Sequence, residues 1–111
     1  MKIKLSTIAE NDLVNGFWFY GNQESGIGEY FRSSVKADID SLKVFAGIHP
    51  IVHGYHRMIC KTFPYNVYYR MVSEHRVEVI AVIAQRENRR PSSTAVQRDW
   101  VELGHPQTRQ I

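Results

Sequence analysis

Apolar and polar side chains alternate from the start of the chain: Ile3, Leu5 and Thr7 interleave with Lys2, Lys4 and Ser6. A period of two marks a strand with one buried face, so a first strand is predicted over 2–8. The period then changes. Asn11 and Asp12 offer N-cap oxygens, and Leu13, Val14, Phe17, Trp18 and Gly21 follow at helical spacing, predicting a helix over 12–22. Past a break at Gly26 and Gly28, apolar residues recur at Ile27, Phe31, Val35, Ile39, Leu42 and Phe45, three or four apart. Arg32, Lys36, Asp38, Asp40 and Lys43 occupy the other face of this second helix, and Gly47 supplies a stop before Pro50. Two such helices form a hairpin able to cover one side of a sheet.

Residues 47–56 have turn chemistry throughout and read as a loop. From Arg57 onward the pattern is again strand-like: 57–63, 65–72, a polar turn at Ser73, Glu74 and His75, then 76–84. Three antiparallel strands in succession are implied. The last is apolar on both faces after Glu78, as a central strand should be. Pro64 fits only where no ladder hydrogen bond is needed, at a bulge or in the turn between two strands. Residues 92–111 read as a polar tail with one short helix over 94–103 that docks Val96, Trp100 and Leu103. The order is β-α-α-β-β-β in a single α+β domain spanning 1–111.

Composition narrows the function classes. The chain has 111 residues, 43% of them hydrophobic, enough for one modest core. No apolar stretch approaches the ~20 residues that cross a bilayer, and the N-terminus runs directly into a strand pattern without a leader. A cytoplasmic protein without a membrane partner is expected. The lone Cys60 lies in an apolar run and reads as a small buried hydrophobe. Net charge is +3, but it is unevenly spread: residues 57–111 carry nine Lys/Arg against five Asp/Glu, and eight of the nine are arginine. Arginine's planar fork suits phosphate and can stack on bases.

Signatures of the common enzyme classes are missing: no phosphate-cradling glycine loop followed by lysine, no serine elbow, no zinc-protease helix. His49, His53 and His56 lie close in sequence, but no cysteine or carboxylate accompanies them, and neither a metal nor another cofactor is expected. What remains is a basic set on or beside the sheet: Arg57, Lys61, Arg70, Arg86, Arg89 and Arg90. Alternation puts Asn66, Tyr68 and Arg70 on one face of their strand and Tyr65, Val67, Tyr69 and Met71 on the other. A face of cations and aromatics can hold a phosphate backbone and stack a base. An ordinary amphipathic sheet, with Arg70 paired to Glu78 across the hairpin, accounts for the same pattern.

The run Phe63, Pro64, Tyr65, Asn66, Val67, Tyr68, Tyr69, Arg70, followed by Val77 to Ile83, Gln85, Arg86, Glu87, Asn88 and Pro91, resembles the RelE/ParE superfamily of bacterial toxins. The resemblance implies a helical hairpin and a three-strand meander packed on the first strand. It also implies a cognate antitoxin as partner, in a toxin–antitoxin heterotetramer or beside a toxin homodimer. Members divide between ribosome-dependent cleavage of mRNA and inhibition of DNA gyrase. In the ribonuclease branch, basic residues stabilise charge that develops as a 2′-hydroxyl attacks phosphate. On that reading Arg86, Lys61 and Arg70 are the catalytic candidates, and Arg57, Tyr68, Arg89 and Arg90 the nucleic-acid-binding ones. The sequence departs from that branch in two places: Asn66 stands where arginine is common, and Ser92, Ser93 and Thr94 stand where a tyrosine is common. A type II toxin acting as an endoribonuclease is the expectation, with a gyrase inhibitor or a non-catalytic binding module of the same fold as alternatives.

Overall fold

The computed structural model describes residues 1–92 and, as backbone only, 100–102. Strand β1 (Lys2–Ser6) is followed by helices α1 (Thr7–Gly21), α2 (Ile27–Asp40) and α3 (Leu42–Phe45), and then by β2 (Ile51–Val52), β3 (Tyr55–Ile59), β4 (Tyr65–Ser73), β5 (Arg76–Ala84) and β6 (Trp100–Glu102). The strands form one sheet in the order β2-β3-β4-β5-β1-β6. The meander β2 to β5 is antiparallel throughout, whereas β1 lies parallel to β5.

The boundary between β1 and α1 is set by one side chain. Thr7 continues the alternation, but Ser6 Oγ accepts the Ala9 N–H at 2.9 Å and so starts the helix five residues earlier than the pattern suggests. Asp12 is therefore inside the helix and caps nothing. Ser6 also donates to the Ile80 carbonyl of β5 at 2.6 Å, satisfying a backbone group of β5 just past the end of β1. Val82 N–H, one step further along, donates to Asp12 Oδ2 at 2.9 Å. Two polar side chains thus stand in for the missing strand, as buried backbone groups require. Replacing Ser6 with Ala removes both a cap and a buried acceptor's partner. A loss of about 2 kcal/mol is expected in chemical denaturation.

The core lies between the helices and one sheet face. Phe31, Val35, Ile39 and Leu42 pack on Ile3, Leu5, Val67, Tyr69, Val77 and Val79. The ladder between β4 and β5 slips between Tyr68 and Tyr69, leaving Ile80 as an extra residue in β5. The inward positions of β5 accordingly shift from Val77 and Val79 to Val82 and Ala84. Ala81 and Ile83 turn to the other face, where they join Tyr68 in a smaller apolar cluster.

Three expectations change. The predicted loop over 47–56 contains a short hairpin, with β2 turning at His53 and Gly54 into a β3 that begins at Tyr55. The second helix breaks at Ser41 into α2 and α3. Trp100–Glu102 extend as a strand antiparallel to β1 and not as part of a helix, because the open edge of β1 supplies backbone partners to an extended segment. Positions 94–99 and 103, the rest of that predicted helix, lie outside the described residues.

Candidate functional site

The basic residues singled out in the sequence are distributed over three places. Arg57 and Tyr68 are direct partners across β3 and β4, and Arg70 faces Glu78 across β4 and β5, all on the sheet face away from the helices. Arg70 donates to Glu78 Oε1 through Nε at 3.0 Å and Nη2 at 2.8 Å, while Arg76 reaches Glu78 Oε2 at 3.3 Å. Glu78 is buried, so this triad fixes the turn end of the hairpin. Tyr68 is only 5% exposed and packs with Ala81 and Ile83, so its ring is not an open platform for a base. Arg57 is half-buried, and its Nε makes no hydrogen bond among the described residues.

Lys61 lies in the turn between β3 and β4. Its backbone N–H donates to Asp38 Oδ2 of α2 at 3.1 Å, leaving the side chain in solvent. Burial, with Asp38 alongside, pushes the neighbouring Cys60 thiol up to about 12, which makes it an inert core group.

Arg86 and Arg89 sit together on the helix side, where the chain leaves β5 and passes α1. With Asp12, Asn15, Phe19 and Tyr65 they line a cleft of about 210 Å³. The Arg86 guanidinium lies 4.0 Å from the centre of the Phe19 ring, and its Nη2 donates to the Tyr65 hydroxyl at 3.4 Å. That hydroxyl holds Arg86 more firmly in its charged form. Behind it, Tyr20, Phe31, Phe63 and Tyr65 form a continuous aromatic cluster with ring centres about 5 Å apart. Arg86 is thus an exposed cation set in place by aromatic packing, with no carboxylate bonded to it among the described residues.

Arg89 has a different role. It bonds Asp12 Oδ2 at 2.7 Å, the same oxygen that receives Val82 N–H. Burial raises the Asp12 carboxyl above its ordinary 3.8, while Arg89 and the Val82 N–H pull it back down. The segment after β5 is clamped to α1 by this pair. Arg90 is exposed beside it.

The site residues therefore do not converge. Arg70 faces Glu78, eight residues before Arg86 on the chain, which at ~3.3 Å per strand residue is on the order of 25 Å. Arg70 is on the opposite face of the sheet as well. Sequence reasoning missed the side chains that α1 contributes to the cleft: Asp12, Asn15 and Phe19. Phe19 was visible only as one ring in an aromatic run, and nothing near Asp12 in the sequence points to a partner 77 residues away.

Of the three histidines, His49 and His56 meet at Tyr69 and His53 does not. His49 contacts Tyr69, His56 Nδ1 contacts the His49 carbonyl, and His53 occupies the β2–β3 turn with φ 56°. Among the described residues no helix is long and apolar enough to cross a membrane.

No family model and no curated protein matches this sequence. One solved structure to which the chain is similar is described as "Chromosomal ParDE TA system from P. aeruginosa". The TM-score is 0.67 at 16% sequence identity, and the match covers 76% of this chain and 95% of that chain. Similarity of that extent at so low an identity is similarity of fold: one strand, a helical hairpin and an antiparallel meander in the same arrangement.

Proposed function

We propose that this chain, whose fold is of the RelE/ParE type, is the toxin of a type II toxin–antitoxin pair and arrests growth by binding its target, with DNA gyrase preferred over messenger RNA. The toxin reading is carried by the fold similarity, which spans nearly the whole of the ParDE chain. The preference for binding over cleavage rests on the dispersal of the basic residues. Phosphodiester cleavage by general acid and base needs several groups within hydrogen-bond reach of one phosphate. Here Arg70 is committed to buried Glu78, Arg89 to buried Asp12, and Tyr68 to packing. Arginine stays protonated and cannot serve as the base. Arg86, held on Phe19, is well suited to recognition of a partner surface, where arginine and aromatic residues commonly dominate affinity. The cognate antitoxin and the bacterial cytoplasm follow from the same reading.

Induced expression in a host lacking the antitoxin tests it. Accumulation of gyrase-linked DNA breaks without codon-phased cuts in mapped transcripts is the expected result; phased cuts would select the ribonuclease. Arg86→Ala is expected to abolish growth arrest while changing stability by under about 1 kcal/mol, since the cation–π contact is exposed. Arg70→Ala should retain arrest, because Arg76 still pairs with Glu78. Arrest lost with Arg70→Ala and kept with Arg86→Ala would move the site to the opposite face.

A further inference from the structure

The segment between α3 and β2 is held to the sheet by polar contacts that converge on one phenol. Tyr69 of β4 is fully buried on the helix face, yet its hydroxyl meets both Gly47 N–H at 2.9 Å and His49 Nδ1 at 2.5 Å. The Gly47 N–H is a donor, so it occupies a lone pair of the tyrosine oxygen. The phenol's own hydrogen then has one place to go, which is His49 Nδ1 as an acceptor. This assignment requires a neutral His49 with its proton on Nε2. His56 of β3 closes the group: its ring stacks on Tyr69 with centres 5.0 Å apart and planes 19° apart, and its Nδ1 lies 2.7 Å from the His49 carbonyl.

We infer that His49, Tyr69 and His56 form an acid-sensitive latch: neutral His49 keeps residues 46–52 on the sheet, and protonation of its Nδ1 releases them. A proton on Nδ1 turns an O–H···N bond into two opposed donors. The buried phenol hydrogen loses its acceptor, and a charge is placed beside the second imidazole. Among the described residues, the titratable groups facing His49 are Tyr69 from β4 and His56 from β3. From α3 the one titratable side chain, Lys43, is paired with Asp40, and β2 contributes none. Burial, and then His56, lower the His49 pKa from its ordinary 6.5. A depressed folded value means that the latch contributes fully above pH 6.5 and is lost as pH falls below it.

What opens is a defined unit. The released segment carries exposed Ile48 and Ile51 and the β2 edge strand, whereas β4 and β5 keep their ladder. Acid therefore frees the sheet edge without unfolding the domain, as local opening of a weakly packed unit allows.

Hydrogen exchange by mass spectrometry on the full chain, at pH 7.5 and pH 5.0 and corrected for intrinsic rates, tests the latch. Exchange in 46–52 is expected to rise about 10-fold or more at pH 5.0 while β4 and β5 remain unchanged. Tyr69→Phe should exchange rapidly in that segment at both pH values. His49→Gln, whose amide oxygen can accept from Tyr69 but does not titrate, should remain slow at both. Circular dichroism confirms that each variant is folded. Equal protection of the wild type at the two pH values overturns the proposal. So does a pH response that survives in His49→Gln or disappears only in His56→Gln.

Discussion

Replacing Arg89 with Ala is expected to destabilise the protein by about 2–3 kcal/mol at pH 7, and adding Asp12→Asn to that variant should recover most of the loss. Asp12 is 6% exposed, and its side chain satisfies a backbone N–H that no strand reaches. Among the described residues its charge is compensated by Arg89 alone. Removing one partner of a buried pair strands the other, typically at a cost of 3–5 kcal/mol; Arg89 is partly open to solvent, which lowers the figure. The pH dependence distinguishes this from lost packing. Burial already raises the Asp12 carboxyl above 3.8, so the folded state keeps that proton to higher pH than the unfolded chain does. The group's contribution is full below pH 3.8 and is lost as pH rises through the raised folded value. Without Arg89 that value moves further up. The deficit of Arg89→Ala in urea denaturation should therefore be smaller at pH 4 than at pH 7, whereas the double variant should lack this dependence.

Gly28→Ala is the other substitution with a large expected effect. A Cβ at Gly28 would lie 2.6 Å from the Phe17 carbonyl oxygen and 3.2 Å from Gly21 Cα, both backbone atoms of α1. No side chain can rotate away, so the helices themselves must part. Overpacking of this kind costs about 3 kcal/mol, and the better helix propensity of alanine returns about 1. A net loss of about 2 kcal/mol should appear as a fall in thermal midpoint on the order of 10 °C. Ser33→Ala, on an exposed part of α2, should leave the midpoint nearly unchanged. A midpoint for Gly28→Ala within a degree of the wild type would mean that the hairpin is looser than its backbone contacts imply.

Much of this fold is legible from the alternation of residues. The stripe from Ile27 to Leu42 identifies the helix that covers the sheet, and the two faces of Tyr65 to Met71 are assigned as the structure has them. Several of the failures involve a partner distant in sequence. Ser6 begins α1 where Thr7 would have continued a strand, with its hydroxyl also engaged by Ile80. The bulge at Ile80 is hidden in a run apolar on both faces, where a change of parity leaves no mark. Trp100–Glu102 are extended because β1 offers an edge, a fact that the local pattern does not contain. For the candidate site, the basic residue types were readable but their grouping was not. Arg70 is in the β4–β5 hairpin and Arg86 follows it directly, yet the strand parity and the turn after Ala84 send them to opposite faces.

The parallel pairing of β1 with β5 also governs how the chain comes into being. Ser6 meets Ile80 across 74 residues, and β1 cannot take its place until β5 has been synthesised. Long-range pairing of this sort forms late and slowly. During translation the helical hairpin can therefore emerge without the sheet that it is meant to cover, with Phe31, Val35 and Ile39 still facing water. The nascent polypeptide passes through a stage at which these apolar side chains are uncovered, and it buries them only after β5 has left the ribosome.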